Sequence, residues 1–271
     1  MIKVLISRHN GIGDIIMSIP FIFGLPSSEY DVTYETVEEN FSLINYLIPN
    51  LKLKKLTEIP FEDYRVIQNG YDVLINLNRS ILHNCMCWQY MDVDGLKSNQ
   101  QVLYAFIVSL HGLPVPINLS PSAYIHKEKH PTNKILIFTK STINNRSLSR
   151  RITDRLEELC DNKQIFLNPW FDTKSKLAEE INNAKFVISV DTGTLHLAEA
   201  LSTKWIGLYT NMSGITRVKY YKHGEIIQSS AECSPCNFHG FREMCITKDN
   251  KIECTYGFDV SFLINKIKEN I

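Results

Sequence analysis

Two short stretches of this 271-residue chain hold most of the side chains that could do chemistry, and a third could hold a metal. Asp191-Thr192-Gly193-Thr194 closes the apolar run "KFVISV", and His196 falls on the first turn of the segment that follows. Backbone N–H groups at 192–194, with two hydroxyls beside them, suit phosphate oxygens. Gly193 would let a phosphate approach the backbone closely, and His196 would reach a phosphate or a sugar hydroxyl. Helix capping by Asp191 or Thr192 is the simpler reading of the same residues. Near the N-terminus, "RHNGIGDIIMSIP" (8–20) follows the apolar run "IKVLIS" and sets a carboxylate, Asp14, at the mouth of a helix. That position keeps the acid ionised. Asp14 is then either a plain partner of the helix dipole or a base held ready for a proton.

The third stretch is Cys233-x₂-Cys236-x₈-Cys245-x₈-Cys254, four thiols within 22 residues. C-x₂-C makes a compact chelating turn, and two further thiolates would complete a tetrahedral site for structural zinc or iron. His239 could replace one thiolate. Cys85, Cys87 and Cys160 lack chelating spacing and read as packing residues.

These groups need rigid elements behind them. Strand-length apolar runs occur at 2–7, 71–77, 134–138, 185–190 and 204–209, with weaker ones at 31–36 and 225–230. Helical periodicity fits 14–24, 38–48, 98–111, 149–160, 173–183, 193–201 and 259–269. Such alternation predicts βαβ units and parallel sheets. A stretch with four prolines, 112–133, reads as a linker or edge segment. The expected architecture is α/β, with two Rossmann-like domains, 1–122 and 123–271, facing a central cleft, and a cysteine-rich metal-binding loop at 233–254. Ligands would lie at the carboxyl ends of both sets of strands.

Composition narrows the function classes. The chain has 29 Lys+Arg and 29 Asp+Glu, so no global charge draws it to nucleic acid or to a membrane surface. No apolar stretch approaches the roughly 20 residues that span a bilayer. The first residues lack a signal-peptide pattern, so a cytoplasmic protein without membrane insertion is expected. Seven cysteines then imply thiols or metal ligands rather than disulfides.

"VISVDTGTLHLAEALSTKWIGLYT" (187–210), taken with "GIGDIIMSIP", resembles the ADP-heptose:lipopolysaccharide heptosyltransferase family, glycosyltransferase family nine. "TKSTINNRSLSRRI" (139–152) resembles that family's phosphate-binding turn, and the cysteine-rich tail resembles the C-terminus of many members. The resemblance implies a GT-B fold and inverting transfer of a sugar from a nucleotide-diphosphate donor, without a catalytic metal. It puts Asp14 at the general base. Gly13, Thr139, Lys140, Arg146, Asp191, Thr192, Gly193, Thr194 and His196 fall at the donor site. Arg146 stands where many members carry lysine, which keeps the charge and changes its shape to a planar fork.

The acceptor, whether saccharide, protein or DNA base, stays open. The short first half and the Lys/Asn/Ile-rich composition resemble a tailed-phage gene product. One alternative is therefore a phage-type DNA glycosyltransferase acting on hydroxymethylated pyrimidines. A Rossmann-type oxidoreductase is a second, although "GIGDII" lacks a third glycine and Glu35 is the only candidate ribose ligand. A non-enzymatic metal-bearing binding module is the third.

Overall fold

The computed structural model describes residues 1–9, 11–56, 70–77, 100–236, 247–248 and 251–270. Two parallel sheets lie on either side of the proline-rich segment. The first has the order β3-β2-β1-β4, from Ile2–Ser7 (β1), Tyr30–Thr36 (β2), Lys52–Lys55 (β3) and Val73–Asn76 (β4). The second has the order β6-β5-β7-β8-β9, from Ile135–Phe138 (β5), Ile165–Leu167 (β6), Phe186–Val190 (β7), Trp205–Tyr209 (β8) and Gly224–Gln228 (β9). A two-stranded antiparallel ribbon joins Thr247–Lys248 (β10) to Lys251–Ile252 (β11).

All seven expected strands form. Besides the short ribbon β10–β11, the two that periodicity did not reveal, β3 and β6, are edge strands of four and three residues. β3 reads "KLKK", whose lysines hide a strand signal that pairing with β2 supplies. The helices are Ile12–Phe23 (α1), Phe41–Leu47 (α2), Gln100–Leu110 (α3), Arg150–Glu157 (α4), Lys174–Asn183 (α5), Gly193–Ala200 (α6), Gly214–Arg217 (α7) and Val260–Lys268 (α8). No helix among the described residues is long and apolar enough to cross a membrane.

Strand order dictates where a ligand can sit. The chain leaves β1 for β2 on one side, while β4 pairs on the other. It leaves β5 for β6, while β7 pairs on the opposite flank of β5. Crevices therefore open at the carboxyl ends of β1/β4 and β5/β7. The turns leaving β1, β5 and β7 carry Asp14, Arg146 and Asp191 respectively.

One face of each sheet contributes to a shared apolar cluster, in which Ile15 and Ile19 of α1 join Leu195, Leu197 and Ala198 of α6. The other face of the second sheet packs Ile188 and Ile206 against Ile152 and Leu156 of α4 and Leu263 and Ile267 of α8. The proline-rich segment is tied in rather than loose. Ser120 Oγ and Ser122 Oγ donate to the buried Glu199 carboxylate at 2.7 and 3.1 Å. Glu199 also accepts from Trp205 Nε1 and from the backbone N–H groups of Lys222 and His223, each at 3.0 Å.

Candidate active site

After β1 the chain runs one step further, with Arg8 N donating to Glu35 O at 3.0 Å, and then turns sharply. Gly11 makes that turn at φ +85°, a left-handed conformation that disfavours any side chain. The turn also brings Asp14, the third residue of α1, back over Gly11, where an added Cβ would lie 2.8 Å from Asp14 Oδ2. The buried Arg8 guanidinium donates through Nη2 to the same carboxylate oxygen. Burial alone would lower the Arg8 pKa, but Tyr104 and Asp14 together raise it, so the guanidinium is fixed as a cation. The loop carbonyl of His9 accepts from Thr36 Oγ1 at 2.9 Å and Asn40 Nδ2 at 3.1 Å. From the other half of the chain, Lys174 Nζ donates to Asn40 Oδ1 at 2.5 Å.

The turn after β7 is built differently. Asp191 is 2% exposed and lies among three cationic or potentially cationic groups. Arg146 Nη1 is 3.4 Å away, Arg217 Nε 3.5 Å and His196 Nε2 3.6 Å. Burial would raise its pKa, yet Arg217, His196 and Arg146 hold the carboxyl far below the usual range. Burial pushes the His196 pKa down despite Asp191, so the ring is neutral at pH 7. A carboxylate only accepts, which puts the ring proton on Nε2, facing Asp191. His196 Nδ1 then accepts from the Tyr221 hydroxyl at 2.6 Å. Burial also lowers the Arg146 pKa, with Asp191 opposing, and leaves a guanidinium that stays charged.

Neither residue expected as a helix cap acts as one. Thr192 occupies the N-cap of α6 without a side-chain hydrogen bond, and Asp191 is turned toward the arginines. Thr194 Oγ1 pairs instead with Ser189 Oγ at 2.7 Å. The first N–H groups of α6 therefore have no side-chain cap, which leaves them able to meet an anion. Thr139 is buried, with its N–H donating to Asn168 Oδ1 at 2.9 Å and its hydroxyl accepting from Asn168 Nδ2 at 2.9 Å. Lys140, next along, is exposed.

The two turns meet through their glycines. A Cβ on Gly13 would lie 2.4 Å from His196 Cδ2, and one on Gly193 would lie 2.6 Å from Ile12 Cβ. Missing side chains thus let the first turns of α1 and α6 touch across the two halves. Asp14 is near enough for its charge to act on Arg146, Arg217 and His196. Among the described residues, three arginines (8, 146 and 217) meet two carboxylates (14 and 191) at the seam. Arg8, Arg217 and Tyr221 escaped the sequence reading. Arg8 lay six residues before Asp14 in the stretch already singled out, whereas "SGITRVKYY" around Arg217 offers no pattern.

Of the four spaced thiols, Cys245 lies outside the described residues, as do His239, Cys85 and Cys87. Cys236 Sγ lies 3.7 Å from Asn211 O, and the buried Cys254 Sγ lies 3.9 Å from Asn145 O. Thr210 Oγ1 links these two neighbourhoods by donating to Asn145 O at 2.6 Å. Among the described residues no three His, Cys, Asp or Glu side chains group as ligands of one ion, so the expected metal-binding loop gains no support.

Two parallel sheets that bring charged turns to one seam define an α/β protein of the kind seen in GT-B heptosyltransferases. Residues 135–246 match the family model of glycosyltransferase family 9 (heptosyltransferase). A search of curated proteins finds no match. Among solved structures, E. coli heptosyltransferase WaaC with ADP is similar at TM-score 0.59 and 13% identity, over 99% of this chain and 98% of that one. The family 9 glycosyltransferase from Veillonella parvula matches at TM-score 0.65 and 13% identity, over 99% and 96%. The iron-containing dodecameric glycosyltransferase TibC from enterotoxigenic E. coli matches at 0.66 and 14%, over 98% and 76%. At these identities the likeness is one of fold. Nothing in the comparisons favours the oxidoreductase, binding-module or DNA-acceptor alternatives.

Proposed function

We propose that this protein is an inverting glycosyltransferase that moves a sugar from a nucleoside-diphosphate donor to an acceptor hydroxyl in the cytoplasm. The observation that carries the proposal is the meeting of Asp14 with the Asp191–Arg146–His196 group across the Gly13 and Gly193 contacts. The acceptor hydroxyl attacks the anomeric carbon from the face opposite the diphosphate, and a new carbon–oxygen bond forms. The bond to the diphosphate oxygen breaks, and its electron pair leaves with the nucleoside diphosphate. Asp14 takes the hydroxyl proton, oriented by Arg8. The uncapped N–H groups of Thr192–Thr194 and the Arg146 guanidinium meet the charge that develops on the leaving group. His196, neutral and held by Tyr221, turns Nε2 to within 3.6 Å of Asp191 and so keeps that wall of the site in place.

WaaC and TibC are named with ADP and with ADP-heptose, which makes an ADP-sugar the first donor to try. TibC is also named as iron-containing, and the four-thiol spacing suits a structural zinc or iron here. Such a metal would brace the loop that carries Cys254 beside Asn145, the neighbour of Arg146. The test is release of free nucleoside diphosphate from a panel of nucleoside-diphosphate sugars offered with saccharide, peptide and hydroxymethylated DNA acceptors. Turnover with one pair is the expected result, and no binding of any donor would overturn the assignment. Elemental analysis of the same preparation should give about one zinc or iron per chain.

A further inference from the structure

Arg217 is a charged side chain that the mechanism above leaves unused, although it lies at the same carboxylate as Arg146. It ends the single helical turn α7, at the carboxyl end of β8, one strand along from Asp191. That turn is held firmly in place. Ser213 caps it by accepting from Thr216 N, and Gly214 N donates to Gln228 Oε1 at 3.0 Å. Arg217 is 5% exposed, and its Nε lies 3.5 Å from Asp191 Oδ1. Its Nη1 has no hydrogen-bond partner among the described residues.

A guanidinium has five N–H donors in a rigid fork, and Asp191 divides its two oxygens between two such forks and an imidazole. An unpaired donor on a buried cation is costly unless a ligand completes it. Phosphate oxygens match the fork's geometry and its charge. We propose that Arg217 binds the donor's diphosphate together with Arg146, and that Asp191 is the positioning residue that keeps the two forks side by side. The proposal deepens the donor-site reading and rests on it. The opposing possibility is that Arg217 serves only as a counter-ion for Asp191.

The experiment is calorimetric titration of the full-length protein and of the variants Arg217→Met and Arg217→Lys with ADP, GDP, UDP and CDP. The matching monophosphates and nucleosides form the second and third arms. For the base that binds, Arg217→Met should weaken the diphosphate by about 10- to 100-fold and leave the nucleoside unchanged. Arg217→Lys, which keeps the charge without the fork, should recover part of that loss. Should Arg217→Met fail to fold, the diphosphate-to-nucleoside affinity ratio of Arg217→Lys against wild type decides the matter alone. Equal weakening of diphosphate and nucleoside, or no change in diphosphate affinity, would overturn the proposal. Absence of diphosphate binding in the wild type would overturn the donor reading itself, which separates the two failures.

Discussion

At the end of β1 the acid sits three residues inside its helix, partly exposed, against the Arg8 guanidinium. At the end of β7 it sits one residue before the helix N-cap, 2% exposed, between two guanidiniums and an imidazole. The unit is the same, a parallel strand running through a short turn into a helix. Moving the carboxylate by four positions relative to the helix start changes what it can do. Asp14 stays partly exposed, as a group that exchanges a proton with a substrate must. Asp191 is closed off by cations that hold it ionised, so its contribution is to organise charge rather than to accept a proton.

The largest effect that would break this contrast comes from Asp14→Asn. It should lower kcat by about 10²–10⁴-fold, because only proton acceptance is lost. Affinity for the nucleoside diphosphate should stay near wild type, since Arg146 and the α6 N-terminus belong to the other turn. An Asp14→Asn enzyme with wild-type turnover would mean that the two acids do not differ in this way.

Next in size is the contact that joins the turns. Gly193→Val places its side chain against Ile12 and should destabilise the fold by about 1–3 kcal/mol through overpacking. Urea denaturation without any ligand should reveal the whole loss. If stability is unchanged and only nucleotide affinity falls, Gly193 serves the ligand and not the seam.

The smallest effect sharpens the electrostatic side. His196 is buried and neutral when folded, with its pKa lowered by burial, whereas in the unfolded chain it titrates near pH 6.5. Below that pH the unfolded state takes up a proton that the folded state refuses, so His196 makes stability fall as pH drops and level off above it. The slope from one such group is at most about 1.4 kcal/mol per pH unit. Subtracting the stability–pH curve of His196→Gln from that of wild type between pH 7 and pH 5 isolates the effect. A flat difference would mean that the ring titrates in the folded protein as it does in the unfolded chain, and a slope of opposite sign that it stays charged when folded.

Much of this molecule was legible from local pattern. A buried parallel strand must be apolar along its length, so "IKVLIS" and "KFVISV" announced β1 and β7 and marked where their turns begin. The glycine-rich turns before Asp14 and after Asp191 follow from backbone chemistry within a few residues, whereas the missing cap at Thr192 does not. The edge strand β3 was hidden because lysines on a solvated edge carry no alternation, and pairing with β2 alone makes it a strand.

What residue type and spacing determined by themselves was the α/β class, the two charged turns and the resemblance to glycosyltransferase family nine. Only the tertiary structure decided which charges meet. Arg217 reaches Asp191 from the helical turn after the neighbouring strand β8, Ser120 reaches Glu199 across 79 positions, and Lys174 reaches Asn40 across 134. The physical reason is range. Periodicity, capping and turn chemistry act over one or two helical turns, whereas ion pairing and close packing act between any surfaces that the sheets bring together. The glycines at 13 and 193 stand at the boundary between the two. Either could have been read as a turn residue, and only the His196 ring and the Ile12 side chain lying against them reveal that they are spaces left for a neighbour.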